Sequence, residues 1–169
     1  TLKPLIEAGK LENAGVSLGR VGLGVAVRPG AQAPSLASSE AFFRDLATAE
    51  RVVFNLASTG LYFENLLKQR GLWPAFEAKA VRYQTGAEVM KHVLAGKGAE
   101  VAVGPITEIR LELPKGLVFV GPLPADIQNV TSYSAAVMAA SGQKDAARAL
   151  AAFLAGPVGK PLFVAAGIE

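Results

Sequence analysis

The stretch Arg51-Val52-Val53-Phe54-Asn55-Leu56-Ala57-Ser58-Thr59-Gly60-Leu61 decides the architecture. Its opening residues form the short, β-branched apolar run of a buried strand. Small residues follow, and then Phe63, Leu66, Leu67 and Arg70 fall at the three- and four-residue spacings of a helix over 59–70. A strand that passes into a helix so quickly leaves the first-turn N–H groups unpaired at the positive end of the helix dipole. An anion is favoured there, and Ser58 or Thr59 can add a hydroxyl. The plainer role for either residue is an ordinary N-cap.

Working outward, the pattern repeats. A helix over 39–49 precedes this unit; a strand over 80–83, a helix over 87–94 and a strand over 100–103 follow it. Short apolar runs separated by helices of this length predict an α/β fold with parallel strands and right-handed crossovers. Thr85-Gly86-Ala87-Glu88 has the hydroxyl and carboxylate spacing of a capping box, so a second strand-to-helix junction stands one unit after the first. A doubly wound sheet sets both helix heads at one carboxyl edge, facing one crevice.

On the amino-terminal side, residues 16–27 read as a strand whose Gly19, Gly22 and Gly24 mark bends or close backbone approach, ended by Arg28-Pro29-Gly30. These glycines lack the offset, and the following helix, of a dinucleotide fingerprint. On the other side, a strand over 117–120 leads into Gly121-Pro122-Leu123-Pro124, which predicts a rigid turn, and 132–140 reads as another strand. Two amphipathic helices close the chain, one over 143–154 and one beginning at Pro157 and stopped by Gly167. The first residues, with Leu2, Leu5 and Ile6, read as a helix entered partway, without a turn or cap before it.

Composition narrows the function classes. Hydrophobic residues make up 51% of the 169 and charged residues 18%, which suits a packed core and not a disordered chain. The net charge of +3 is spread singly along the chain, which disfavours nucleic acid and is compatible with an anionic ligand. Without cysteine there is no thiol chemistry, disulfide or cysteine metal site. His92 is the single histidine, sits mid-helix without a second ligand at metal spacing, and reads as a surface or packing residue. Ser58 lacks the nucleophile-elbow pattern, so no Ser-His-Asp set assembles. Glu108, just past the 100–103 strand, stands where crevice residues lie, although an isolated carboxylate there also reads as solvated or helix-starting. Phe42, Phe43, Trp73 and Phe76 are expected to be core aromatics.

The order of these motifs resembles the molybdate-binding-like branch of bacterial ABC-transporter solute-binding proteins, with the type II periplasmic-binding-protein fold. Gly22-Leu23-Gly24-Val25-Ala26-Val27-Arg28 with Gly30 resembles the family's crossing strand. Ser58-Thr59-Gly60-Leu61-Tyr62, with Leu66 and Gly71-Leu72-Trp73, resembles the first helix of its second lobe. Gly121-Pro122-Leu123-Pro124 with Gln128-Asn129 and Tyr133 resembles its return strand, and the segment from Ala149 through Gly156-Pro157 to Ala166-Gly167-Ile168 its terminal helix pair.

The resemblance implies residues 1–30 as a remnant of the first lobe with the crossing strand, 31–120 as a complete α/β second lobe, and 121–169 as the return strand with C-terminal helices packing toward a first lobe that is largely missing. It implies periplasmic binding of an oxyanion or organic acid for ABC-type uptake, delivery to a membrane permease, no cofactor, no metal, and a signal peptide lying outside this sequence. The ligand-facing positions it implies are Ser58, Thr59, Gly60, Gly86, Ala87, Pro105 and Thr107, with main-chain amides at Thr59 and Gly60 and at Ala87 beside Gly86. Pro105 stands where molybdate binders carry a tyrosine and offers neither hydroxyl nor amide hydrogen, which argues against molybdate itself. Aconitate isomerase is a member of the branch, so an isomerase of small polycarboxylic acids using Glu108 is the alternative. A truncated first lobe would also expose strand edges and favour pairing between copies.

Overall fold

A computed structural model describes residues 2–169. In chain order these form α1 (Lys3–Glu7), β1 (Val16–Val27), α2 (Ser39–Leu46), β2 (Arg51–Asn55), α3 (Ser58–Gln69), α4 (Trp73–Phe76), β3 (Ala80–Tyr83), α5 (Gly86–Ala95), β4 (Glu100–Pro105), α6 (Ile106–Glu112), β5 (Val118–Pro122), β6 (Val130–Ala135), α7 (Lys144–Ala155) and α8 (Gly159–Ala165). The chain divides into two compact units, one of residues 22–130 and one of residues 2–21 with 131–169.

In the unit of residues 22–130 the strand order is β3-β2-β4-β1-β5. β2 runs parallel to β3 and β4, in registers that pair Asn55 with Tyr83 and Val53 with Ala102. The β1 strand lies antiparallel between β4 and β5, pairing Val25 with Val103 and with Gly121. Burial on both faces is why the β2 and β4 sequences read as continuous apolar runs. Their alternation feeds two cores. Val52, Phe54, Val101 and Val103 join Val25, Val27, Phe42, Leu46, Phe63, Leu67 and Phe76 on the face covered by α2, α3 and α4. Val53, Ala102 and Ala26 join Val89, Met90, Val93 and Ile109 on the face covered by α5 and α6. The Phe63 ring stands edge-on to both Phe42 and Phe54. The aromatic residues expected in the core are there, with Trp73 packed at its margin.

The rigid turn expected at Gly121–Pro124 does not form at its first half. Gly121 and Pro122 instead complete β5, paired with Val25 and Gly24, and a register shift between Val25 and Ala26 lets the strand bend. A proline is tolerated at the end of an outer strand because no neighbour requires its missing N–H there. The chain reverses one step later, in a short 3-10 turn over Ala125–Ile127. Gln128 then fastens it to β1: its Oε1 accepts from the Leu23 N–H at 2.7 Å, and its Nε2 donates to the Leu23 carbonyl at 2.9 Å. Gly24 is obligatory for close approach, since a Cβ there would stand 2.7 Å from the Phe119 ring.

In the unit of residues 2–21 and 131–169, β6 pairs with β1, and Arg20 and Glu169 exchange main-chain hydrogen bonds. The strand expected over 132–140 ends at Ala135, with a single further bridge between Leu11 and Met138. Helix α8 begins at Gly159, two residues beyond Pro157. Gly167 stops it as expected: at φ +89° it turns the chain so that the Ile168 N–H reaches the Phe163 carbonyl at 2.9 Å. No residue of α7 is buried within the described residues, and Leu150, Phe153, Val158 and Leu162 are exposed.

Candidate site at the carboxyl edge of the parallel strands

Three helix heads gather at one edge of the sheet in residues 22–130. Asn55 and Tyr83 are register partners at the carboxyl ends of β2 and β3; α3 begins three residues after the first and α5 three residues after the second. The head of α6 follows directly on β4, the other neighbour of β2. Helix α3 leaves toward one face, while α5 and α6 leave toward the other. Diverging connections at adjacent parallel strands open a crevice outside their carboxyl ends.

At the head of α3, the acceptor of the first turn is Asn55, only 3% exposed. Its Oδ1 accepts from the Gly60 N–H at 2.9 Å, the Ala57 N–H at 3.2 Å and the Thr59 hydroxyl at 3.2 Å. Two expectations are thereby corrected. The N-cap position is Ala57, so neither Ser58 nor Thr59 serves as the cap. The Gly60 amide, expected to be free, is held inside the protein. Gly60 itself is required, because a Cβ there would lie 1.8 Å from the Asn55 carbonyl oxygen. The N–H groups of Ser58 and Thr59 find no acceptor among the described residues. An Asn closing a strand five residues before a Gly was the available signal for this arrangement, since Asn side chains accept from main-chain donors a few residues on.

At the head of α5 the expected capping box is present. The Thr85 Oγ1 accepts from the Glu88 N–H at 3.3 Å, and the Glu88 carboxylate accepts from the Thr85 N–H and hydroxyl, each at 2.9 Å. The bond from the Thr85 side chain, then that from its main chain, holds the Glu88 carboxyl below its ordinary value. The N–H groups of Gly86 and Ala87 are left without acceptors among the described residues. Gly86 is buried and Ala87 half-buried.

The third head carries the carboxylate. Pro105 is the N-cap of α6 and brings no N–H; Thr107 and Glu108 lie half-buried in the first turn. Glu108 does not project into open solvent: it turns over Gly86, where a Cβ would stand 2.9 Å from its carboxyl carbon. Burial pushes the Glu108 carboxyl above its ordinary value. The edge therefore brings together Ser58, Thr59 and Gly60 at one head, Gly86 and Ala87 at the next, and Pro105, Thr107 and Glu108 at the third.

His92 packs. Its Nδ1 meets the Tyr83 hydroxyl at 2.7 Å, and its Nε2 stands 3.4 Å from the Glu100 Oε2, whose side chain is 6% exposed. Among the described residues, no group of three or more His, Cys, Asp or Glu side chains is disposed to hold a metal ion.

A two-faced α/β sheet with an antiparallel strand laid between β4 and β5, its helix heads turned to one edge, has the architecture of the type II periplasmic binding proteins. The chain belongs to the bacterial extracellular solute-binding protein family, whose sequence model matches residues 1–169. A curated relative, aconitate isomerase from Pseudomonas sp., is 32% identical over 156 residues, which are 91% of this chain; the chain spans 58% of that relative's length. Among solved structures, a substrate-binding domain assigned to a molybdenum ABC transporter of Clostridium difficile superposes with a TM-score of 0.76 at 19% identity, covering 99% of this chain and 72% of that one. The periplasmic molybdate-binding protein of Azotobacter vinelandii gives 0.66 at 16% identity, covering 99% and 73%.

Proposed function

We propose that this chain carries the anion-binding edge of a periplasmic solute-binding protein that delivers an oxyanion or a small organic acid to the permease of an ABC transporter. One observation carries the reading. The N–H groups of Ser58 and Thr59 and those of Gly86 and Ala87, at two helix heads on one sheet edge, have no acceptor among the described residues. Main-chain donors at the positive ends of helix dipoles bind negative charge without the conformational cost of ordering a side chain. Gly60 lines this edge by allowing the tight turn, and Thr107 adds a hydroxyl; Pro105 adds no donor. Family membership supports solute binding, and residues 31–120 form the bulk of the proposed ligand-bearing lobe.

The test is thermal unfolding of the chain against a panel of molybdate, sulfate, phosphate, citrate and aconitate. An anion bound only by the folded state raises the midpoint with its concentration. Absence of any shift across the panel at millimolar concentrations would overturn the proposal.

A second reading, isomerisation of a small polycarboxylic acid with Glu108 moving the proton, is supported by the 32% identical isomerase and by the burial that raises the Glu108 carboxyl. Interconversion of trans- and cis-aconitate, lost on Glu108→Gln, supports the enzyme; saturable binding without turnover supports the carrier.

A further inference from the structure

The crevice edge is not uniform in its hydrogen-bonding character. At the heads of α3 and α5 the main chain offers open donors, the N–H groups of Ser58, Thr59, Gly86 and Ala87, and the Glu88 carboxylate at the second head is engaged by Thr85. The head of α6 presents the opposite. Pro105 removes a donor, and Glu108 places a carboxylate over Gly86. Among the described residues Glu108 has no hydrogen bond or ion pair, and burial, with no contribution from a neighbouring cation, sets its carboxyl.

An anion seated on the Gly86 and Ala87 amides therefore has the acceptor oxygens of Glu108 close beside it. If every atom of the solute is an acceptor, the two sets of lone pairs face each other and the like charges repel. If the solute carries an X–H group beside its charge, the same contact becomes a short, charge-assisted hydrogen bond, the stronger class of such bonds.

We propose that Glu108 is a specificity-determining residue that selects solutes bearing a hydrogen-bond donor next to their negative charge, such as hydroxy acids and incompletely deprotonated oxyanions, and rejects acceptor-only oxyanions. This deepens the function proposed above and rests on it. Partial burial of Glu108 strengthens the effect, since a carboxylate with less water around it gains more from a donor supplied by the solute. Its raised proton affinity points the same way. The selection is separate from proton abstraction: Glu108 accepts a hydrogen bond in the bound state and no bond is broken.

Calorimetric titration with two matched pairs tests this at mildly alkaline pH. Hydrogen phosphate and sulfate share charge and shape but differ by one hydroxyl; malate and succinate differ in the same way. In the unaltered chain the donor-bearing member of at least one pair is expected to bind about ten- to a hundredfold more tightly, the usual reach of one hydrogen bond to a charged group. In Glu108→Gln, whose amide can donate to a solute oxygen, the preference is expected to fall to within about threefold, with the acceptor-only member gaining affinity. Equal binding of both members by the unaltered chain overturns the inference and leaves the anion site standing. A preference that survives Glu108→Gln does the same. Affinity for both members that appears only in Glu108→Gln would make the carboxylate a plug and also overturns it. Absence of binding by either protein to all four probes removes the anion site itself. Cooperative unfolding of Glu108→Gln confirms that the comparison is between folded proteins.

Discussion

Asn55→Ala is the substitution that tests the architecture of the edge most directly. The Asn55 Oδ1 takes three donors, and two of them, the Gly60 N–H and the Thr59 hydroxyl, are buried. After truncation the Ala57 N–H, which is partly exposed, can turn to water, and the Thr59 hydroxyl can rotate toward another oxygen. The Gly60 N–H can do neither, because the glycine is packed against the Asn55 carbonyl. A buried donor left unmade costs about 1–3 kcal/mol, and loss of a first-turn acceptor at a helix costs about 0.5–2 kcal/mol. The sum is about 3 kcal/mol, which for a chain of this size lowers the thermal midpoint by roughly 6–12 °C. Urea unfolding followed by circular dichroism measures it, with an unchanged slope showing that the folded state is otherwise intact. Asn55→Asp keeps the acceptor and is expected to stay close to the parent in stability, while its negative charge at the head of α3 weakens anion binding. If Asn55→Ala costs less than about 1 kcal/mol, the side chain is not what organises this turn.

Gly86→Ala sets a methyl group 2.9 Å from the carboxyl carbon of Glu108, the movable end of a side chain. Stability is therefore expected to change by no more than about 1 kcal/mol while anion affinity falls, read by paired unfolding and titration. Gln128→Ala removes four hydrogen bonds, two with Leu23, one to the Leu123 carbonyl and one from the Asn129 N–H, and is expected to cost about 2–3 kcal/mol in urea unfolding. The Glu88 carboxyl, held low by Thr85, contributes stability above its unfolded value that is lost as pH falls through the lower folded value, so Glu88→Gln should flatten the acid limb of a midpoint-against-pH curve. Glu108 has the opposite sign: its folded value is raised by burial, so its cost grows as pH rises above the ordinary 4.5, and Glu108→Gln should raise the midpoint at neutral pH and leave it unchanged in acid. The exposed apolar side chains Leu150, Phe153 and Leu162 predict association between copies, and light scattering that finds a monomer at high protein concentration would refute this.

Features written within a few residues of one another are legible in the amino-acid sequence. The Thr85–Glu88 box, the stop at Gly167, the parallel units around β2, β3 and β4, and the two strand-to-helix junctions all follow from side chains bonding nearby main chain or from apolar periodicity, which chain neighbours enforce without help. Long-range pairing settled the rest. That β5 continues through Pro122 depends on β1 lying beside it, almost a hundred residues earlier in the chain. That Gly60 spends its amide on Asn55, leaving Ser58 and Thr59 as the open donors, depends on how tightly the turn closes against the strand end. Glu108 meets Gly86 because β3 and β4 flank β2 and send α5 and α6 to the same face. Local signals name the kind of helix head; packing alone determines which of its donors stay open and which acid is brought over them.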